Sequence, residues 1–192
     1  MLPPDIKKVA WLHSDCLPTS LLTLLGMSVL HEFYRFVASS KLEELFVVKQ
    51  PDVLGAAVLS LRPDDLDKRF ALNSWIVFFP ALLLGICSKP FFWKSIKNFI
   101  CGSSKEIAQH EEVELVILFV DKSIRKQGIA SKLLDDAEKF LLDKGIRSYY
   151  VKTVANHDDP QAVSFYQRKG FLKYREGVAF GKKYFYLRKQ LG

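Results

Sequence analysis

Residues 113–144, VELVILFVDKSIRKQGIASKLLDDAEKFLLDK, decide the fold of this chain. The apolar run at 115–120 predicts a buried strand, and a charged turn at 121–126 follows it. The apolar residues of the next segment then recur every three or four positions: Ile129, Leu133, Leu134, Ala137, Phe140 and Leu141. That spacing is typical of an amphipathic helix, and Gly145 follows where a left-handed C-terminal cap belongs. We therefore expect a strand, a tight basic turn and a helix.

The start of the predicted helix is suited to binding an anion. A helix N-terminus leaves several backbone N–H groups without partners, and the helix dipole makes that end positive. Gly128 would let an anion approach the backbone closely, and Ala130 keeps the next contact small. Arg125 and Lys126 add fixed positive charge beside the turn. The stretch therefore predicts a binding site for a phosphate or a pyrophosphate.

Two motifs in this half of the chain carry a resemblance to a known family. Residues 125–130, RKQGIA, resemble the R/Q-x-x-G-x-G/A signature of the GNAT superfamily of N-acetyltransferases, in which this turn holds the pyrophosphate of acetyl-CoA. Residues 162–171, AVSFYQRKGF, resemble the family element A-x-x-F/L-Y-x-x-x-G-F, which closes the acetyl-CoA site. The similarity covers roughly residues 42–61 and 112–190.

The resemblance implies an α+β fold, an α/β/α sandwich with a mixed, mostly antiparallel sheet flanked by helices. It implies that the protein transfers an acetyl group from acetyl-CoA to a primary amine of a small acceptor. A looser pattern, His13, Leu17-Pro18, Leu25-Gly26 and Phe33-Tyr34, is similar to acetyltransferases encoded with surface-polysaccharide biosynthesis enzymes. The favoured acceptor is therefore an amino sugar, nucleotide- or lipid-linked. The alternative is a GNAT-like module that binds acyl-CoA, a membrane or a protein without catalysis.

The family motif assigns a set of residues to acetyl-CoA. Backbone groups of the motif strand bind the pantetheine and the thioester carbonyl in the family, and Leu118 and Val120 align with them. The family usually has an asparagine where this chain has Asp159, so either Asn156 makes that contact through a longer loop or the contact is absent. The expected cofactor-binding residues are Leu118, Val120, Arg125, Lys126, Gln127, Gly128, Ile129, Ala130, Asn156 and Tyr166.

Three residues are candidates for proton transfer. The resemblance implies that Tyr166 is the general acid for the departing thiolate, although it could instead pack against the coenzyme. Glu114 is the preferred general base over Glu112, because it aligns with a glutamate of the family; a structural carboxylate is the alternative. His13 is the other titratable candidate, since an unperturbed histidine titrates near neutrality, but a lone histidine is more often structural.

Composition narrows the class of protein. A chain of 192 residues with 49% apolar residues is expected to form one domain, residues 1–192. The three cysteines are widely spaced and lack a neighbouring histidine cluster, which argues against a zinc site or a disulfide scaffold. The net charge of +7 suits a polyanionic cofactor, and no nucleic-acid-binding motif is recognised. Because the N-terminus lacks the apolar core of a signal peptide, we expect a cytoplasmic protein.

Residues 62–110 form an insertion relative to the family pattern. Residues 75–87, WIVFFPALLLGIC, are almost wholly apolar but too short to span a bilayer. A basic and aromatic run, KPFFWK at 89–94, follows and has the composition of an interfacial anchor. Three interpretations stay open: helices packed on the domain, a peripheral membrane contact through residues 75–100, and a homodimer contact.

The remaining elements are expected as follows. Residues 5–12 are predicted to form a first strand, and residues 21–38 one bent helix or two helices interrupted at Gly26. A hairpin is expected from residues 45–49 and 53–61, with Gly55 allowing a bulge or a close approach. A strand at 148–154, a helix beginning at Asp159-Pro160 and strands at 171–174 and 183–188 complete the prediction.

Overall fold

The structure is a computed structural model that describes residues 3–88, 113–155, 161–179 and 182–192. Its helices are α1 (Pro3–Cys16), α2 (Leu21–Leu25), α3 (Met27–Ser39), α4 (Leu66–Asn73), α5 (Trp75–Ser88), α6 (Ile129–Asp143) and α7 (Gln161–Arg168). Its strands are β1 (Glu43–Lys49), β2 (Val53–Ser60), β3 (Val113–Val120), β4 (Ser148–Val154), β5 (Leu172–Ala179) and β6 (Lys182–Gln190). The predicted α+β class is confirmed.

The six strands form one mixed sheet in the order β1-β2-β3-β4-β6-β5. Four of the five neighbouring pairs are antiparallel, and only β3 and β4 are parallel. That pair is joined through α6, as a parallel connection requires a crossover. The predicted strand, turn and helix of residues 113–144 are therefore β3, the basic turn and α6.

Helices cover both faces of the sheet, which gives the predicted sandwich. On one face α1, α3, α4 and α5 contribute to a core with β2 and β3, and Val9, Val29 and Leu30 are fully buried there. On the other face α6 packs over β1, β2 and β3 and shares a core with α7, β4 and β6, in which Leu133 and Leu187 are fully buried. We call these the α1 face and the α6 face. Each side chain of a strand lies on one of these two faces, because successive side chains point to opposite sides of the sheet.

The prediction of a strand at residues 5–12 is wrong, because these residues lie in helix α1. Ile6, Val9 and Ala10 are buried, a spacing of three and four that suits a helix. Trp11, on the outer side of the same helix, is 64% exposed. The proline at the start and Asp5 in the first turn also favour a helix N-terminus.

Gly26 divides the predicted helical segment into two helices. Its φ of 101° lies in the region that residues with a Cβ avoid, so α2 ends there and α3 begins. Within the insertion, residues 63–88 form a short 3-10 turn followed by α4 and α5, and Phe78 of α5 packs on Phe70 of α4 with ring centroids 5.6 Å apart. Residues 89–110 and the helix start at Asp159-Pro160 lie outside the described residues.

Gly55 is needed where β2 passes β3 and α6. A Cβ at this position would lie 2.7 Å from the backbone oxygen of Phe119 and 3.3 Å from side-chain atoms of Ile129 and Leu133. The close approach that the sequence suggested for Gly55 is confirmed, and it brings α6 down onto the strand whose end leads into the basic turn.

Candidate functional site

The sheet splits between its two parallel strands. β3 and β4 are paired only over Val113–Leu115 and Tyr149–Val151, whereas β3 stays paired with β2 as far as Val120. β4 meanwhile stays paired with β6 as far as Val154. The strands therefore diverge towards their C-terminal ends, and a wedge opens there that leads to the basic turn.

Leu118 and Val120 direct their backbone groups into this wedge. The N–H of Asp121 donates to the carbonyl of Leu54 on β2 at 2.9 Å. Backbone groups alternate in direction along an antiparallel strand, so Phe119 also bonds β2, and Leu118 and Val120 face away from it. An extended ligand in the wedge could thus hydrogen-bond to β3 as a further strand would.

Helix α1 ends across the mouth of the wedge. The thiol of Cys16 donates to the carbonyl of Val120 at 3.3 Å, and burial raises the pKa of this thiol. Asp15 forms an ion pair with Lys122 of the basic turn at 3.3 Å. A strand at residues 5–12 does not predict this position for Cys16, since a helix is needed to carry the chain across the wedge.

The basic turn forms an anion cradle at the start of α6, from Lys126 to Ala130. Gly128 caps the helix with a φ of 83°, and Lys126 has a φ of 65°, so two left-handed residues flank Gln127. No side chain caps the helix, and consequently its first N–H groups keep their capacity to bind a ligand. Apart from its two chain neighbours, no described residue has an atom within 4 Å of where a Gly128 Cβ would be.

Fixed charge surrounds the cradle. Arg125 and Lys126 are exposed, and no carboxylate of a described residue forms an ion pair with either. Asp121 is engaged by its own turn, since it accepts hydrogen bonds from the N–H and hydroxyl of Ser123 at 2.8 and 2.7 Å, and these bonds lower its pKa. The cradle therefore fits a diphosphate. It offers N–H groups without a side-chain cap, open space beside Gly128, and two cations that form no ion pair with a described residue.

Glu114 lies on the α1 face, at the closed end of the wedge. It is buried, and its Oε2 accepts a hydrogen bond from the Tyr150 hydroxyl at 2.8 Å and pairs with Lys152 Nζ at 2.9 Å. Burial alone would lower the pKa of Lys152, but Glu114 outweighs it and the pKa is raised. Oε1 of Glu114 has no hydrogen-bond partner among the described residues, so one oxygen could still accept a proton.

Sequence reasoning did not find Tyr150 and Lys152. Both lie on β4, more than thirty positions from Glu114, and the parallel register places Tyr150 beside it. Lys152 is the first β4 residue beyond the paired segment, so it stands where the wedge begins. The alternation of residues 148–154 would have placed both side chains on one face, but nothing local shows which strand lies beside β3.

Tyr166 lies on the opposite face of the sheet from Glu114. It belongs to the α6-face core, where its ring packs edge-on against Phe165 and Phe171, each with centroids 5.3 Å away. No described residue forms a hydrogen bond with its hydroxyl, and burial raises its pKa. The phenol therefore keeps its proton at neutral pH and remains available as a hydrogen-bond donor.

Both ring nitrogens of His13 are engaged within the chain. Nδ1 lies 2.7 Å from the Tyr34 hydroxyl and Nε2 lies 2.9 Å from the Ser20 hydroxyl. Ser20 donates to the Thr23 hydroxyl, which in turn donates to the carbonyl of Leu17. Each group can donate only once along this chain, so Tyr34 donates to Nδ1 and His13 donates from Nε2.

The buried ring is consequently neutral. Burial lowers the pKa of His13 to about 4, and its ring lies 5.4 Å from that of Phe119. This arrangement favours a structural role, in which His13 anchors the connection between α1 and α2 beside the wedge. The catalytic role suggested from sequence stays a prediction.

The predicted site residues thus fall into separate groups. Leu118, Val120 and the cradle residues line one continuous path from the wedge to the start of α6. Glu114 and Tyr166 flank that path from opposite faces of the sheet. Asn156 lies outside the described residues. Among the described residues, no three His, Cys, Asp or Glu side chains could together hold a metal ion.

Comparisons with known proteins agree with this geometry. A family model, the acetyltransferase (GNAT) family, matches residues 84–171. A solved structure of a GNAT-family protein from Desulfovibrio desulfuricans is similar at 15% identity, with 100% of this chain and 95% of that chain covered and a TM-score of 0.65. An N-acetyltransferase from Staphylococcus aureus Mu50 is similar at 15% identity, with 100% and 96% covered and a TM-score of 0.62.

A third similar structure contains a ligand. PaiA N-acetyltransferase from Thermoplasma acidophilum in complex with coenzyme A matches at 12% identity, with 99% of this chain and 95% of that chain covered and a TM-score of 0.59. Identities this low show a shared fold. No curated protein sequence matches the chain.

Proposed function

The chain belongs to the GNAT superfamily of acetyltransferases, and on that premise we propose that it transfers an acetyl group from acetyl-CoA to a primary amine of a small acceptor. The observation that carries the proposal is the continuity of the wedge with the uncapped N-terminus of α6. One path offers backbone groups for an extended amide-containing chain and N–H groups for a diphosphate. Acetyl-CoA has both parts, and it supplies the activated acyl group.

The cofactor contacts follow from the two ends of this path. The N–H groups from Gly128 to Ala130 would hold the diphosphate, with Arg125 and Lys126 balancing its charge. Leu118 and Val120 would bind the pantetheine through their backbone. A backbone N–H directed at the thioester oxygen would stabilise the charge that develops there, an effect worth about 10²–10³ in rate.

Proton transfer is assigned to Glu114 and Tyr166. The free Oε1 of Glu114 can take a proton from the acceptor's ammonium, directly or through one water, so that the neutral amine attacks the thioester carbon, while Lys152 and Tyr150 hold the carboxylate in place. On the other face, the protonated phenol of Tyr166 can donate a hydrogen bond to the sulfur as the thiolate leaves. Placing base and acid on opposite faces keeps the two proton transfers apart, each able to contribute about 10²–10⁴-fold.

An amino sugar, nucleotide- or lipid-linked, is the acceptor class that we propose. Its support is the loose similarity of the α1–α3 region to acetyltransferases that accompany surface-polysaccharide enzymes. The second candidate is a GNAT-like module that binds acyl-CoA without turnover. It is favoured if Glu114 proves fully occupied by Tyr150 and Lys152, because the amine would then lack a base.

The direct experiment is to incubate the protein with acetyl-CoA and a panel of amino-sugar nucleotides and to follow free thiol release. Acetylation of at least one amine supports the proposal. Binding of acetyl-CoA by calorimetry without turnover on any amine would favour the non-catalytic module. Failure to bind acetyl-CoA or coenzyme A would contradict both.

A substitution at Gly128 tests the cradle itself. Gly128→Ala adds a methyl group where the diphosphate must approach, so we expect the KM for acetyl-CoA to rise about tenfold while kcat changes little. Gly145→Ala is the matched control: Gly145 lies just after α6 with a φ of 74°, and apart from its chain neighbours no described residue has an atom within 4 Å of the Cβ that it lacks. It should carry the same backbone strain and keep the KM. An equal KM in both variants would place the diphosphate elsewhere.

A further inference from the structure

A row of paired residues crosses the α1 face of the sheet beneath the start of the insertion. Glu43 of β1 lies opposite Ser60 of β2, and Ser60 lies opposite Glu114 of β3. Glu114 in turn lies opposite Tyr150 of β4. Residues that are opposite one another on neighbouring strands share a face of the sheet. The row therefore leads from the edge strand β1 to the closed end of the wedge.

Helix α4 is tied to the β1 end of this row by Arg69. Its guanidinium donates to both oxygens of the buried Glu43 carboxylate, each at 2.8 Å, and its Nε donates to Asp65 at 2.7 Å. A bidentate contact of this kind fixes the orientation of the two groups as well as their distance. The 3-10 turn that precedes α4 also packs against β3. The first part of the insertion is thus fixed to the sheet at two strands.

Asp67 lies on the opposite side of α4 from Arg69. Leu66 and Phe70 are buried and mark the side of the helix that packs on the domain. At about 100° per residue, Arg69 points about 80° to one side of the line through these two residues, and Asp67 about 80° to the other. Because Arg69 reaches towards β1, Asp67 is directed the other way along the row, towards β3 and β4.

The charges of the wedge act on Asp67, as this direction requires. The side chain is in part open to solvent, yet the surrounding protein removes enough water to raise the pKa of its carboxyl, with Lys152 opposing that rise and Glu114 adding to it. Asp67 in turn adds to the effect of Glu114 that raises the pKa of Lys152 against burial. No described residue donates a hydrogen bond to the Asp67 carboxylate or forms an ion pair with it.

A second carboxylate changes what the closed end of the wedge can attract. Glu114 and Lys152 form an ion pair, so their charges largely cancel for a ligand that approaches them. An alkyl amine is protonated at neutral pH and reaches the site as an ammonium ion. Asp67 gives the group of three a net negative charge, and both of its oxygens are available to accept hydrogen bonds from that ion.

We propose that Asp67 binds the ammonium group of the acceptor and holds it beside the free Oε1 of Glu114. One ammonium proton then passes to Glu114, while Asp67 takes no proton and serves only to bind. The insertion thereby completes the acceptor site, which selects amines that arrive positively charged. The inference rests on the proposed function, because it assigns a role within acetyl transfer.

Steady-state kinetics of Asp67→Asn, with each amine that the wild type acetylates, tests the inference. The KM for the amine should rise about tenfold or more, because a charge-assisted contact is lost, while the KM for acetyl-CoA stays the same. Asp67→Glu keeps the charge and should recover part of the affinity. The matched control is Asp136→Asn, which removes an exposed carboxylate of α6 that pairs with no described residue, and its KM values should equal those of the wild type.

A neutral nucleophile separates the binding of charge from a structural effect. The aminooxy analogue of the same acceptor is uncharged at neutral pH, so Asp67→Asn should leave its KM unchanged. The inference is overturned if the variant keeps the KM for the ammonium acceptor, or if the KM values for the aminooxy analogue and acetyl-CoA rise as well. If the wild type acetylates no amine, the proposed function itself fails and this inference fails with it.

Discussion

At the scale of single residues, Glu114 and Glu138 make the same contacts on opposite faces of the sheet. Glu114 binds the hydroxyl of Tyr150 and the ammonium of Lys152, as described above. Glu138 of α6 binds the hydroxyl of Tyr149 and the ammonium of Lys189, both at 2.6 Å. Only Glu114 lies at the wedge, so the pair offers an internal control for separating catalysis from stability.

Glu114→Gln is therefore expected to lower kcat by about 10²–10⁴ with little change in the KM for acetyl-CoA. Glu138→Gln should lose a comparable hydrogen-bonded ion pair and a comparable part of the free energy of unfolding, but keep kcat. Steady-state kinetics with thermal unfolding of both variants provides the measurement. If Glu114→Gln keeps kcat and only loses stability, Glu114 is a structural carboxylate.

His13 predicts a dependence of stability on pH. Its pKa is about 4 in the folded chain and 6.5 unperturbed, so the unfolded state binds the extra proton between these values. The stabilisation is present above pH 6.5 and is lost as the pH falls through about 4, a difference of roughly 3 kcal/mol in the free energy of unfolding.

Urea unfolding of the wild type and His13→Gln between pH 7 and pH 4 measures this contribution. The variant should be less stable at pH 7, because Tyr34 and Ser20 lose their partner. Its free energy of unfolding should also fall less steeply on acidification. Parallel curves for the two proteins would show that the pKa of His13 is the same in the folded and unfolded states, which would contradict this prediction.

At the scale of elements, the close packing of β2 against β3 and α6 at Gly55 positions the site. Gly55→Ala would drive a methyl group against the Phe119 backbone, which cannot rotate away. We expect a loss of about 1–3 kcal/mol in the free energy of unfolding and a higher KM for acetyl-CoA, since Leu118 and Val120 flank Phe119.

Gly177→Ala on β5 is the control for this prediction. Its Cβ would meet the ring edge of Tyr186 at 3.1 Å, and a side chain can shift where backbone cannot. Chemical denaturation should therefore show a smaller loss for Gly177→Ala than for Gly55→Ala. If the two variants lose equal free energy of unfolding, β3 can shift away from the new methyl group as easily as the Tyr186 ring can.

At the scale of the whole molecule, the sheet separates two helical layers that contribute different parts of the site. The α6 face supplies the cradle and Tyr166. The α1 face supplies Glu114 and the end of α1 at Cys16. The wedge between β3 and β4 is open to both faces of the sheet, so a ligand lying in it would contact both helical layers.

Local patterns in the sequence determined the centre of this arrangement. The strand, the turn and the start of α6 depend on residues a few positions apart, through apolar spacing and the backbone freedom of Gly128. Gly26 as a helix break and Gly55 as a close approach were predictable for the same reason. The location of Leu118, Val120 and residues 125–130 along one path followed from their adjacency in the chain.

Only the tertiary structure decided which distant residues meet. The pairing of Glu114 with Lys152 depends on strand order and register, and the enclosed network of His13 depends on how α1 packs against α3. The separation of Glu114 and Tyr166 onto opposite faces depends on where α7 packs. The burial of Phe78 depends on which side of α5 packs against the core, because an evenly apolar helix carries no signal of its own orientation.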